Sequence, residues 1–153
     1  MKIYHSPITP QQNPHKFKQA VTSKVAFSKN EEDIFCKAIQ LWGCMPFLEE
    51  AKDYKVRKIF VKPHQKLSLQ YHNHRNENWI VARGNPTFQC GDSVKTLQTA
   101  ELKVRDSVFI PVKKLHRLEN NTNSEVIIIE VQTGDYIGDD DITRIKDEYK
   151  RET

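Results

Sequence analysis

From Tyr54 to Val131 the apolar positions recur in short runs: YKVRKIFV, KLSLQYH, NWIVAR, PTFQC, SVKTLQ, AELKV, SVFIPV and EVIIIEVQ. Turn signals separate many of them: Lys62-Pro63, Gly84-Asn85-Pro86, Gly91-Asp92 and the polar cluster from Glu119 to Ser124. Many short strands with turns between them predict an all-β sandwich or barrel. The flanks read differently. Residues 1 to about 27 carry Pro7, Pro10 and Pro14 among Gln, Asn and Lys, an extended arm with room for one strand at KVAF. Ser28 followed by Glu31 is a capping-box pattern, and Ile34, Ala38, Ile39 and Leu41 fall near one helical face. A helix is expected from about 29 to 41. The ending DDDITRIKDEYKR is acidic then basic, which suits the dipole of a short C-terminal helix. The predicted organisation is an arm and helix over 1–40 packed on a β domain over 41–153.

Within KLSLQYHNH, Leu67, Leu69 and Tyr71 take one parity, and Ser68, Gln70, His72 and His74 the other. Strand side chains alternate faces, so Gln70, His72 and His74 are expected to project together. Either that face meets solvent, as in any amphipathic edge strand, or it points into a site.

Composition narrows the setting. The chain's 153 residues suit one domain with one core. The net charge of +4 is spread along the chain, so nucleic-acid binding is not demanded, and a phosphorylated small substrate suits it equally. No apolar run approaches a membrane helix, and the N-terminus lacks the apolar stretch of a secretory signal. The three cysteines, Cys36, Cys44 and Cys90, are odd in number and not metal-spaced, so free thiols in a reducing cytoplasm are expected. The sequon at Asn120 then carries no glycan.

A second polar segment lies some forty residues on. In DSVFIPVKKLHRLEN, Pro111 leads to His116 and Asn120. Alone, His116 reads as an ordinary surface or core histidine. Paired with His72, His74, Glu77 and, after six intervening residues, Gly84, it resembles the two motifs of the cupin barrel. Neutral imidazoles and a carboxylate suit a borderline divalent cation and leave positions open for substrate oxygens.

The resemblance extends further. LWG at 41 to 43, VKPHQKLSLQYHNHRNENW at 61 to 79, FIPVKKLHRLEN at 109 to 120 and IEVQTGDYIGDDDITRIKDEY at 129 to 149 resemble the type II mannose-6-phosphate isomerase domain. In bacteria that domain often forms the C-terminal part of a mannose-1-phosphate guanylyltransferase. The resemblance covers about residues 41 to 151. It implies a double-stranded β-helix (jelly-roll barrel) and a metal-dependent isomerase interconverting mannose 6-phosphate and fructose 6-phosphate through an enediol. The implied ligands of zinc or another first-row transition metal are His72, His74, Glu77 and His116, with Gln70 as an extra oxygen donor. Arg75 matches the arginine of the family's HHHR motif and is expected to stabilise negative charge on the sugar. Glu77, His74 and a hydroxide on the metal are the candidate bases. Lys66, Arg57, Arg117 and Arg144 lie in family-like segments as candidate phosphate contacts, although each alone reads as a solvated strand-edge charge. A homodimer is expected, with the Pro-rich arm crossing to the partner.

Three departures qualify the resemblance. No guanylyltransferase half and no Gly-rich phosphate loop are present, so GTP chemistry is not expected. Asn78 stands where the family's HRxEHW has its second histidine; counting from Gly84 assigns the ligand to Glu77, whereas counting from His74 admits Asn78. His64 and Lys113 replace family glycines, so those turns are expected to differ. A binding module without turnover is the competing reading.

Overall fold

The computed structural model describes residues 3–4 and 41–150. The strands are β1 (Ile3–Tyr4), β2 (Gly43–Cys44), β3 (Phe47–Glu50), β4 (Tyr54–Val61), β5 (Leu69–Tyr71), β6 (Arg75–Arg83), β7 (Thr87–Gly91), β8 (Gln98–Glu101), β9 (Ser107–Ile110), β10 (Leu115–Glu119), β11 (Val126–Gly134) and β12 (Thr143–Lys146). They form two antiparallel sheets. The seven-stranded sheet runs β1-β9-β6-β11-β4-β2, with β3 also on β4; the five-stranded sheet runs β12-β5-β10-β7-β8. The arm strand β1 pairs with β9 of its own chain. The predicted KVAF strand and nearly all of the 29–41 helix lie outside the described residues.

Alternation decides what faces inward. On β4, Lys55, Arg57, Ile59 and Val61 are buried; on β6, Arg75, Glu77, Trp79 and Val81; on β11, Val126, Ile128, Glu130 and Gln132. Register aligns them into layers. Val61 pairs with Val126, and Ile59 pairs through Ile128 with Val81, while Arg57 pairs through Glu130 with Trp79 and Lys55 through Gln132 with Glu77. One end of the interior is therefore hydrocarbon, closed by Phe88, Leu102 and Leu118, and the other end is polar. Trp79 sits at the boundary, its ring edge-on to both Phe88 and His116. The apolar end supplies the stabilising burial, and the polar end is left for chemistry.

Two elements differ from the sequence reading. The C-terminal segment is not a helix: Thr143–Lys146 is strand β12, paired with β5. The β-branched Thr143 and Ile145 suit an extended edge, and the preceding aspartates hold tertiary partners instead of capping a helix. SVKTLQ is not one strand: Val94–Thr96 forms a 3-10 turn, and β8 begins at Gln98. The free-thiol expectation applies to buried Cys90 and fails for Cys44, which is in a disulfide. Among the described residues no helix is long and apolar enough to cross a membrane.

Motif residues shape the frame. Gly84 has φ +80, and a Cβ there would lie 2.7 Å from the Glu125 carbonyl oxygen. Asn120, fully buried, donates to the carbonyls of Val61, Lys62 and Ser124 and accepts from Thr122, tying the β10–β11 turn to β4. His64 and Lys113 keep left-handed φ values of 57 and 61 without being glycine. Those turns thus adopt a glycine-favoured conformation with non-glycine residues.

Candidate metal centre

β5 ends at Tyr71, and the chain crosses between sheets over residues 72 to 74 before β6 begins at Arg75. That crossing carries His72 into the polar end of the barrel. Asp141 holds it in shape: its carboxylate accepts from the backbone N–H groups of Asn73, His74 and Arg75 at 2.9, 3.1 and 3.2 Å. Its own carbonyl accepts from His72 Nδ1 at 2.5 Å. His116 Nδ1 similarly donates to the Lys114 carbonyl at 2.9 Å. Each ring is thus oriented through Nδ1 with Nε2 turned inward, the nitrogen whose lone pair a neutral imidazole would offer to a cation.

Both Nε2 atoms face one carboxylate. His72 Nε2 is 3.0 Å from Glu77 Oε1, and His116 Nε2 is 3.4 Å from Glu77 Oε2. One ligating atom from each of His72, Glu77 and His116 fits within a 4.8 Å span, and all three residues are buried. His116 Nε2, Glu77 Oε2 and Gln132 Oε1 are buried without a hydrogen-bond partner among the described residues. Buried polar atoms left this way are unfavourable by roughly 1–3 kcal/mol each. A divalent cation would satisfy the imidazole and the carboxylate together, so the donor set fits such an ion. Burial works to raise the Glu77 carboxyl, but the close approach of His116 and His72 holds it well below the usual range.

A second layer surrounds the carboxylate. Arg75, 4% exposed, donates through Nε to Glu77 Oε1 at 3.2 Å and through Nη1 to the Gly138 carbonyl at 2.9 Å. Gln132 Nε2 bridges Glu77 Oε1 at 3.2 Å and Glu130 Oε2 at 2.9 Å. Trp79 Nε1 donates to Glu130 Oε1 at 2.9 Å. Burial, then the charge of Glu77, pushes the Glu130 carboxyl up to about 8 against the pull of Arg57 and the Trp79 hydrogen bond.

The other expected site residues spread apart. Gln70 is buried beside His116 in register, its Oε1 accepting from Ser68 Oγ at 2.6 Å. His74 lies on the exposed crossing, edge-on to Tyr136, and outside the His72–Glu77–His116 cluster. It does not share a strand face with Gln70, because the strand has ended. Asn78 lies on the face of β6 opposite Glu77, next to Val131 and Phe109 in register. Arg57 faces the polar interior. Arg117 lies on the other face of β10 from His116, held by Gln89 and Glu119. Lys66 pairs with Glu148, and Arg144 sits on edge strand β12. Sequence reasoning passed over Lys55, Glu130 and Gln132, and it took Asp139 to Asp141 for helix caps or a cover over the barrel mouth. The signal for Glu130 and Gln132 was present: they share the parity of Val126 and Ile128 in an otherwise apolar strand.

Comparison with known proteins fits this arrangement. The family profile "Mannose-6-phosphate isomerase C-terminal" matches residues 28–147. The chain belongs to this family. It is 37% identical to the alginate biosynthesis protein AlgA of Pseudomonas aeruginosa over 134 residues, which is 88% of this chain and 27% of AlgA. It is 41% identical over 111 residues to mannose-1-phosphate guanylyltransferase 2 of Escherichia coli, which is 72% of this chain and 22% of that protein. The chain thus spans about a quarter of the length of these curated relatives. Among solved structures, an uncharacterised Klebsiella pneumoniae protein with a double-stranded β-helix domain superimposes with a TM-score of 0.61 at 17% identity, over 75% of this chain and 94% of that one. That likeness establishes the barrel fold of this member of the mannose-6-phosphate isomerase C-terminal family.

Proposed function

We propose that the chain is a metal-dependent sugar-phosphate isomerase that interconverts mannose 6-phosphate and fructose 6-phosphate. The observation that carries this reading is the convergence of His72, Glu77 and His116 in a buried polar chamber, with unpartnered Nε2 and Oε2 atoms and Arg75 beside them. Family membership supplies the substrate class.

His72, Glu77 and His116 would hold the ion, with Gln70 beside His116 as a further oxygen donor. A divalent ion, when bound, supplies Lewis-acid polarisation of the sugar carbonyl. Arg75 places a fixed positive charge next to the ligand carboxylate, where an enediolate would develop its negative charge; a donor already oriented needs no reorganisation during reaction. Glu77, lowered and engaged by its neighbours, suits holding a cation better than removing a proton. His74, at the exposed rim, is the histidine left free to exchange protons with a bound sugar. Glu130 holds a proton behind Gln132 and is not one of the clustered ligands. Asn78 faces away from the cluster, so the change from the family histidine removes no inward group, and the non-catalytic reading loses its main motive.

The test is turnover of mannose 6-phosphate by purified protein, with and without added divalent metals. Metal-dependent formation of fructose 6-phosphate is expected. Folded protein that is inactive with every metal would replace this reading with a binding module.

A further inference from the structure

The polar end of the barrel contains a second group of charges that the metal centre does not use. Lys55 and Arg57 point inward from β4, 6% and 8% exposed. Their partners are of a different kind. Lys55 Nζ contacts Glu50 at 3.0 Å and Asp139 at 3.9 Å, and Arg57 Nη2 also bonds to Asp139, whose side chain is 65% exposed. Asp139 sits on the short segment between β11 and β12, so the buried cations are neutralised by a carboxylate reaching in from solvent.

The guanidinium of Arg57 is under-used. Among the described residues, Nη1 has only the thioether of Met45, a weak acceptor, at 3.2 Å. Nε is buried and has no partner. Asp139 thus takes one donor of the Nε/Nη2 edge and leaves the other empty. That edge is the one that grips a carboxylate or phosphate with two parallel hydrogen bonds. The Phe47 ring lies 4.4 Å from the guanidinium and 5.4 Å from Lys55 Nζ, fixing both cations at the chamber mouth.

Register sets the distance to the metal centre. Lys55 and Glu77 are the two cross-strand partners of Gln132. Two strand spacings separate them, roughly 10 Å, on the scale of a hexose phosphate lying with its carbonyl end at Glu77 and its phosphate at β4. Lys66 and Arg117, each paired elsewhere, are less suited to this position.

We propose that Lys55 and Arg57 grip the phosphate of a phosphorylated sugar, and that Asp139 occupies the phosphate's place until the ligand displaces it. This rests on the reading of the chamber as a sugar-phosphate site. A phosphate offers an oxygen to each of Nε, Nη2 and Nζ, whereas the single Asp139 carboxylate leaves Nε unsatisfied. Displaced Asp139 moves to water at little expense, because it is already largely exposed.

The experiment is calorimetric titration of the full chain and of Asp139→Asn with inorganic phosphate, mannose 6-phosphate and mannose, alongside the metal-supplemented isomerase assay. Asp139→Asn keeps the side chain's shape and one acceptor oxygen and removes the competing charge. It is expected to tighten phosphate and mannose 6-phosphate about tenfold, on the scale of releasing one competing ion pair, and to leave mannose unchanged. Adding Arg57→Lys, which keeps the charge and removes the two-donor edge, should erase most of that gain. Equal phosphate affinity in the two proteins, or no phosphate binding by either, overturns the proposal. Turnover with unchanged phosphate affinity would sink the subsite and keep the isomerase. The expected phosphate response without turnover would keep the subsite and sink the isomerase.

Discussion

His72 Nε2 lies 3.0 Å from Glu77 Oε1, across the point where the chain passes from one sheet to the other. Four residues separate them in sequence, and the contact brings an imidazole from the end of β5 onto a carboxylate in β6. His116 completes the group from β10. Replacing His72 and His116 together by Ala should abolish bound divalent metal, read by elemental analysis of purified protein. Unchanged metal stoichiometry would refute this ligand set.

Arg75 contacts Glu77 and the Gly138 carbonyl but is not one of the clustered ligands. Arg75→Lys keeps a charge and loses the fixed fork. Turnover should fall roughly 10²–10³-fold, the scale of losing one oriented charge-stabilising donor, while metal content stays at its original level. Full activity in this variant would remove Arg75 from the reaction.

Asp141 accepts three consecutive backbone N–H groups and orients His72 through its carbonyl. Asp141→Ala leaves those donors unsatisfied, with an expected loss of about 2–4 kcal/mol and a roughly 10- to 100-fold weaker metal affinity. Asp141→Asn retains one acceptor oxygen and should recover part of both. Urea unfolding and metal titration give the two values, and an Ala variant matching the parent in each would exclude the positioning role.

The Glu130 carboxyl releases its proton near 4.5 when unfolded and near 8 when folded. Between these values the native protein binds the extra proton, so this group's contribution to stability falls as pH rises through the window. The loss, complete above pH 8, is on the order of a few kcal/mol. Glu130→Gln has no such proton to release, so the metal-free variant should lose less stability between pH 5 and about pH 8.5. Equal pH slopes for parent and variant would show that Glu130 does not titrate there.

Lys113 holds φ 61 while its N–H donates to the His72 carbonyl at 2.6 Å. The left-handed conformation is unfavourable for a side chain by about 1–2 kcal/mol, and glycine gives back part of that through its freer unfolded state. Lys113→Gly should therefore raise stability by about 0.5–1 kcal/mol, seen as a higher thermal midpoint. A lower midpoint would mean that the lysine side chain makes a compensating contact.

The sequence by itself determined the all-β class and most strand positions, because period-two burial and turn chemistry are local properties, and its motifs carried the family resemblance. YKVRKIFV became β4 over its full length. His72, Glu77, Gly84, His116 and Asn120 stood out by their resemblance to the two cupin motifs. Only the tertiary structure decided which of these groups meet. His74 has the parity of His72, but β5 stops at Tyr71, and parity means nothing beyond a strand's end. Glu77 rather than Asn78 faces inward because β11 and β9 pin the register of β6. The C-terminal segment had the charge pattern of a helix, yet the open edge of β5 offered backbone hydrogen bonds that an isolated turn of helix cannot match. Lys55, Arg57, Glu130 and Gln132 looked like scattered polar residues along two strands. Register between strands some seventy residues apart gathers them into one chamber, and no local pattern encodes that pairing.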